Sequence, residues 1–264
     1  MDYEFISVDR GGPIATLTLS RPERSNALTI KYLGEIKTAA ETFRDDIETR
    51  VLIVRAEGKH FSVGIDLQDP PMPMHSDDGL LAKRRIVTLG GDVIAALRAI
   101  PQVTICAVHG VATGGGACIT TACDFRIASD DARIGYAEVQ RGMNLMWRAL
   151  PLCVRLVGPA RAKRMIMLGD LVDAKTLFDW GYVDDLVPRA DLETTAMALA
   201  ERYAALPPNA VQMIKKSIDA VASALDDAIM HMDSDQYLLA ASSDDRVEGI
   251  EAFLEKREPK FTGR

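Results

Sequence analysis

V-H-G-V-A-T-G-G-G-A-C, residues 108–118, is the stretch from which the fold of the chain is read. It closes an apolar run, Val103–Val108 (V-T-I-C-A-V), whose length and β-branched content predict a buried strand. Three consecutive glycines follow, Gly114, Gly115 and Gly116, and then A-C-I-T-T-A, which has helical spacing. Glycine carries no Cβ, so another group can come close to the backbone there. The first turn of the helix has N–H groups without intrahelical partners, at the positive end of the helix dipole. Such a place suits an oxygen that is, or becomes, negatively charged. A tight turn where a helix packs close to a strand would use the same glycines. No Gly-Lys-Ser/Thr follows, so this is not a phosphate P-loop, and the spacing is not that of a dinucleotide-binding G-x-G-x-x-G.

The 264 residues are 48% hydrophobic, enough for one sizeable core. The formal net charge is −7, from 38 acidic and 31 basic residues, without the basic patch that nucleic acid requires. Cys106, Cys118, Cys123 and Cys153 show no zinc-like spacing and are expected to be reduced thiols, with no metal site. M-D-Y-E-F-I-S-V-D-R lacks the features of a secretory signal, and no apolar run approaches the ~20 residues of a membrane helix. A cytoplasmic protein with no membrane contact is expected.

Phe5–Val8 and Ile14–Leu19 flank Gly11-Gly12 as a hairpin. A helix is predicted from Ile30 to Phe43, with Leu33, Ile36, Ala39, Ala40 and Phe43 on one face. Val51–Val54 reads as a buried strand, and G-K-H-F-S-V-G-I-D-L (58–67) as a turn and a second strand edge. D-P-P-M-P-M-H-S-D-D-G (69–79) is too proline-rich for regular structure and reads as a surface loop or a lid. Leu80–Ile100 is a long amphipathic helix, and Phe125–Ala128 another strand. Beyond Pro159 the pattern is helical: Ala160–Leu168, Ala174–Trp180, Ala190–Ala205, Asn209–Val221 and Leu225–Ala241. A last helix, capped by Ser242, runs to about Lys256.

R-P-E-R-S-N-A-L (21–28), F-S-V-G-I-D-L (61–67), the glycine triplet, A-C-D-F-R-I-A-S (122–129), A-R-I-G-Y-A-E (132–138), G-D-L-V-D-A (169–174), G-Y-V-D-D-L-V (181–187) and E-G-I-E-A-F-L-E-K-R (248–257) occur in that order. The set resembles the crotonase, or enoyl-CoA hydratase/isomerase, superfamily along nearly the whole chain. The resemblance implies an α/β fold, a crotonase-like spiral of ββα repeats with a C-terminal helical domain. Residues 1–190 would form the spiral core with an acyl-CoA site, and 191–264 a helical trimerisation region. It implies acyl-CoA thioester substrates, no cofactor beyond the coenzyme A of the substrate, and homotrimers or dimers of trimers. The shared chemistry is a thioester enolate held by two backbone N–H groups. By motif position these are Ile65 and Gly115. The same carry-over places Lys59, Val63, Gly64, Asp66, Gly114, Cys118, Met146, Trp147, Tyr237 and Lys256 around the substrate, Lys59 near the CoA nucleotide and Tyr237 and Lys256 at positions that in family oligomers reach a neighbour's CoA. Read without the resemblance, Asp66 and Asp124 are turn residues, Lys59 a solvated lysine, and Tyr237 and Lys256 parts of an amphipathic helix.

The acids depart from the family pattern. Hydratases carry two glutamates that hold a water. One matches Glu138; the other falls at Cys118. Cys118 reads as a small buried hydrophobe, with no histidine placed to activate it, since His109 lies before the glycines and His60, His75 and His231 look like loop or surface residues. Met146 and Trp147 stand where small residues would leave room for water. The spelling G-I-D-L resembles the dienoyl-CoA isomerase branch, yet that branch's extra aspartate falls at Met146. One carboxylate suffices to move a double bond, because it takes a proton from C2 and returns it to C4, roughly 2.5 Å away. Isomerisation is therefore expected ahead of hydration. The alternatives are a hydratase or related lyase or hydrolase, and a thioester-binding member with little turnover. Glu138 itself could instead be a helix-start carboxylate paired with Arg141 or Arg148.

Overall fold

A computed structural model describes residues 2–68 and 79–264. β1 (Ile6–Arg10) and β2 (Ile14–Leu19) form the expected antiparallel hairpin, in register from Ile6↔Leu19 to Arg10↔Ala15. β2 then pairs parallel with β3 (Val51–Ala56), β3 with β4 (Val103–Val108), β4 with β6 (Phe125–Ser129) and β6 with β9 (Asp185–Val187). The result is a six-stranded sheet of order β1-β2-β3-β4-β6-β9. Every residue of β4 is buried, as befits a parallel strand covered on both faces. Cys106 and Val108 face the main core, under α1 (Ile30–Thr42) and α2 (Leu80–Arg98). Val103, Ile105 and Ala107 face the other way, onto Leu192, Ala196, Ala200 and Ala204 of α6 (Leu192–Ala204). Alanines four apart let α6 approach the sheet closely.

A second sheet has three short strands: β5 (Val111–Thr113), β7 (Arg133–Gly135) and β8 (Val172–Asp173). The first four strands all belong to the long sheet, and only β4 and β6 are followed by a short-sheet strand, β5 and β7. β4, β5 and α3 (Gly115–Ala122) form one such ββα unit. The expected strand edge at 61–67 consists of two isolated bridges, Ser62↔Ala112 and Leu28↔Ile65. Ser62 thus joins the small sheet's edge without forming a strand of its own.

Helical boundaries differ from the expectation where side chains intervene. α4 (Ala149–Leu168) starts eleven residues before Ala160 and bends at Gly158, where φ is 76° and Pro159 follows. α5 (Ala174–Trp180) is as expected. α7 (Pro208–Ala222) is followed by two pieces, α8 (Asp226–Met230) and α9 (Asp233–Ala241), in place of one helix. The break frees Asp233 to turn inward, where it accepts the Arg148 N–H. Ser243, not Ser242, caps α10 (Asp244–Glu255), accepting the Arg246 N–H at 3.3 Å, while the Ser242 hydroxyl donates to Leu239 O. The proline-rich stretch 69–78 lies outside the described residues. Gly79 is the N-cap of α2. All four cysteines are free and buried. Among the described residues no helix is long and apolar enough to cross a membrane.

Candidate active site

The turn from β5 into α3 brings two backbone segments together. Gly114 has φ 54° and ψ −122°, which an L side chain rarely adopts, and its N–H donates to Gly135 O at 3.1 Å. A Cβ on Gly116 would run into Ser62 O. Gly64 has φ 84°, and a Cβ there would lie 2.8 Å from Thr113 O and 3.3 Å from Gly115 N. The glycines therefore permit backbone-to-backbone contact between 62–65 and 113–116. Leu28 N–H donates to Gly64 O at 2.8 Å, and Leu28 O accepts the Asp66 N–H at 3.0 Å. That parallel bridge leaves the Ile65 N–H on the side away from Leu28. Gly115 is the first residue of α3, so its N–H has no intrahelical partner. Ile65 and Gly115 both line one cavity of about 460 Å³.

Among the described residues, three carboxylates line the same cavity, Glu23, Asp66 and Glu138. Glu23 is exposed, 3.9 Å from the Arg21 Nε. Asp66 is buried and pairs with Arg21 at 2.9 Å and Arg24 at 3.3 Å, and it accepts the Gln68 N–H at 3.0 Å. Burial acts against its charge, but the Gln68 N–H and the two guanidiniums outweigh it and hold its pKa below the ordinary value. Glu138 follows β7 and starts the single turn Val139–Arg141, its carbonyl accepting the Arg141 and Met143 N–H groups. A Cβ on Gly114 would stand 3.3 Å from Glu138 Oε1. Oε2 is sealed from solvent and has no hydrogen-bond partner among the described residues. Burial pushes the Glu138 pKa up to about 7, against the weaker pull of its own backbone N–H and of Arg141. A carboxyl so placed exchanges a proton near neutral pH.

Met146 and Trp147 wall the cavity. Trp147 and Arg148 are consecutive left-handed residues, with φ of 63° and 57°. Asp233 Oδ2 accepts the Arg148 N–H at 2.7 Å. Burial pushes the Asp233 pKa up to about 6, with the Arg148 N–H pulling the other way. The indole fills a slot left by two glycines: a Cβ on Gly90 would overlap it, and one on Gly115 would lie 2.5 Å from its six-membered ring.

A family profile described as Enoyl-CoA hydratase/isomerase matches residues 9–264. The chain belongs to the enoyl-CoA hydratase/isomerase family. It is 31% identical to a probable enoyl-CoA hydratase of Mycobacterium bovis, over 100% of both chains. It is also 31% identical to the 1,2-epoxyphenylacetyl-CoA isomerase of Escherichia coli, again over 100% of both. The crystal structure of an enoyl-CoA hydratase/isomerase from Xanthobacter autotrophicus superposes with a TM-score of 0.88 at 29% identity, covering 99% of this chain and 100% of that one. The architecture is the crotonase-like α/β fold that the motifs implied.

In this enoyl-CoA hydratase/isomerase chain, ten of the motif-derived residues come together on the cavity: Val63, Gly64, Ile65, Asp66, Gly114, Gly115, Glu138, Met146, Trp147 and Tyr237. Three do not. Cys118 is buried inside α3 at 1% exposure and is absent from the cavity wall. Burial, reinforced by the charge of Glu138, pushes its thiol well above the ordinary range, so it stays protonated. Lys59 and Lys256 are also absent from the wall; Lys256 is the left-handed residue that ends α10. His109 does not reach Cys118 either: its Nε2 faces Gly58 O at 3.2 Å, and burial lowers its pKa to about 4. His75 lies outside the described residues. Sequence reading passed over Gly90, Asn144, Arg246 and, as a site residue, Arg141, all of which line the cavity. For Arg141 the signal was its spacing three residues after Glu138; Gly90 and Arg246 have no local signal, because only packing between separate elements brings them there.

Proposed function

We propose that the chain moves a double bond within an enoyl-CoA thioester, with Glu138 as the proton carrier and the N–H groups of Ile65 and Gly115 as an oxyanion hole. The observation that carries this reading is the Glu138 carboxyl on the cavity, its Oε2 buried with no hydrogen-bond partner among the described residues and its pKa pushed up to about 7 by burial. As carboxylate, Glu138 takes a proton from C2 of a 3-enoyl thioester. The electron pair moves onto the thioester oxygen, giving a dienolate. The two backbone donors meet that oxygen as its charge grows, each contributing about 3 kcal/mol in the transition state. The protonated Glu138 then returns the same proton to C4. The product is an isomer, and no atom is gained or lost, so the coenzyme A of the substrate is the only cofactor involved. The residue at the second hydratase acid position is a neutral, buried thiol, and the indole of Trp147 occupies space that water would need.

Hydration is the second reading, favoured by one observation. Asn144 Oδ1 and Thr113 Oγ1 are buried with no hydrogen-bond partner among the described residues, on residues that line the cavity, and offer acceptors for a water beside Glu138. Conjugated enoyl-thioester absorbance separates the readings. A 3-enoyl-CoA that gains absorbance with the wild type, and not with Glu138→Gln, supports the isomerase. A 2-enoyl-CoA that loses it supports hydration. Tight binding with no change in any enoyl-CoA would leave a binding protein and overturn both. The exposed apolar residues Met213, Ile214, Ile218 and Val221 of α7 fit association of copies into trimers, which sedimentation velocity would test.

A further inference from the structure

Two cations stand on the wall of the cavity with no ion-pair partner among the described residues. α10 lies against the turn that carries Glu138, and two glycines allow the contact. A Cβ on Gly249 would meet Arg141 Cα at 2.7 Å, and one on Gly142 would meet Asp245 O at 2.7 Å and Arg246 Cα at 2.8 Å. This docking sets Arg246 beside Arg141, and both residues line the cavity. Arg246 is 3% exposed. One of its terminal nitrogens reaches only a carbonyl, Arg141 O at 3.4 Å. Arg141 donates to Ala137 O at 3.0 Å, and its guanidinium lies over the Phe253 ring, 4.1 Å from the centroid. The Nε of each arginine is buried and has no hydrogen-bond partner among the described residues. Neither forms an ion pair with a described carboxylate, whereas Arg24, also on the cavity, and Arg21 both pair with Asp66. Burial, and then the like charge of Arg246, lowers the Arg141 pKa; Glu138 opposes this.

Buried charges in folded proteins are normally paired, because an unpaired one loses its hydration without compensation. A buried guanidinium beside a half-buried one, each with an Nε donor unpaired among the described residues, on a ligand cavity calls for an anionic oxygen from the ligand. An acyl-CoA offers two sources, the phosphates of coenzyme A and the acyl group. The phosphates are separated from the thioester by the whole pantetheine arm. Arg141 is on the same turn as the proton carrier Glu138 and is electrostatically coupled to it, so the pair belongs to the reacting end of the ligand.

We propose that Arg141 and Arg246 bind a carboxylate carried on the acyl group, so that the preferred substrate is a carboxyacyl-CoA thioester. This rests on the acyl-CoA reading above. The test is calorimetric binding of saturated thioesters, which needs no turnover. Matched pairs run from succinyl- against butyryl-CoA to suberoyl- against octanoyl-CoA, so that a carboxylate of the right reach is included. The expected result is that at least one carboxyacyl-CoA binds the wild type about tenfold or more tightly than its neutral partner. Arg246→Gln removes that preference, and Arg246→Lys restores part of it. The preference persists when the same acyl groups are carried on pantetheine, which lacks the nucleotide phosphates. Equal affinity within every wild-type pair overturns the proposal whatever the variants do. So does a loss in Arg246→Gln that is the same for both members of a pair and disappears with the pantetheine thioesters, which would assign the arginines to phosphate. No binding of any acyl-CoA would instead overturn the acyl-CoA reading itself.

Discussion

Asp66 and Glu138 face the same cavity from opposite backbone segments, yet they are two different chemical objects. Asp66 has two guanidiniums and a backbone N–H, and its charge is fixed. Glu138 has a buried oxygen with no hydrogen-bond partner among the described residues, and its charge is conditional at neutral pH. Residue type does not separate them; hydration and partners do. One carboxylate shapes the backbone beside Ile65, and the other is free to trade a proton.

The comparison can be broken most directly at Glu138. Glu138→Gln should lower kcat/KM for every enoyl thioester the wild type converts by about 10²–10⁴-fold. In the wild type the base must be ionised, so kcat/KM should rise with pH and level off above about 7. Asp66→Asn should leave that midpoint in place; a midpoint that moved with Asp66 would reverse the two roles. The next largest effect is on stability. The folded-state pKa of Glu138 is raised, so its contribution is fully present below the unfolded value near 4.5 and is lost as pH rises through about 7. The difference is on the order of 3 kcal/mol. Urea melts of Glu138→Gln should therefore gain on the wild type between pH 5 and pH 8. Asp66 has the opposite sign: its lowered pKa stabilises above the unfolded value near 3.8, and the effect is lost as pH falls. Asp66→Asn should cost about 2 kcal/mol in neutral-pH melts, discounted for the partly exposed Arg24. The smallest effect is expected at Cys118. Cys118→Ala should cost about 1 kcal/mol of packing and leave kcat within about threefold. A large loss of kcat there would give Glu138 a partner that the cavity wall does not show.

Much of this was readable in the chain. The largely apolar V-T-I-C-A-V, the glycine triplet and the helical periodicities named the main elements, because each is a local pattern that burial enforces. Y-A-E and F-S-V-G-I-D located Glu138 and Ile65 through motif order. What escaped was set by distant neighbours. The three residues of β5 are a strand only because Arg133–Gly135 lies alongside. Asp233 resembles any solvated helix residue until the Arg148 N–H is placed next to it. Arg246 sits in an acidic, polar helix start, S-D-D-R, and is buried only because Gly142 and Gly249 admit α10 so closely.

The slot that holds the Trp147 indole has a consequence for how this site can change over generations. Gly90 on α2 and Gly115 at the start of α3 are both occupied, in effect, by one ring. A side chain at either glycine requires the indole to leave first. Shrinking Trp147 releases both glycines at once and deepens the cavity by the same step. The three positions, far apart along the chain, should therefore be inherited as a single unit: among relatives that keep the indole both glycines should be invariant, and where the indole is lost either is free to drift.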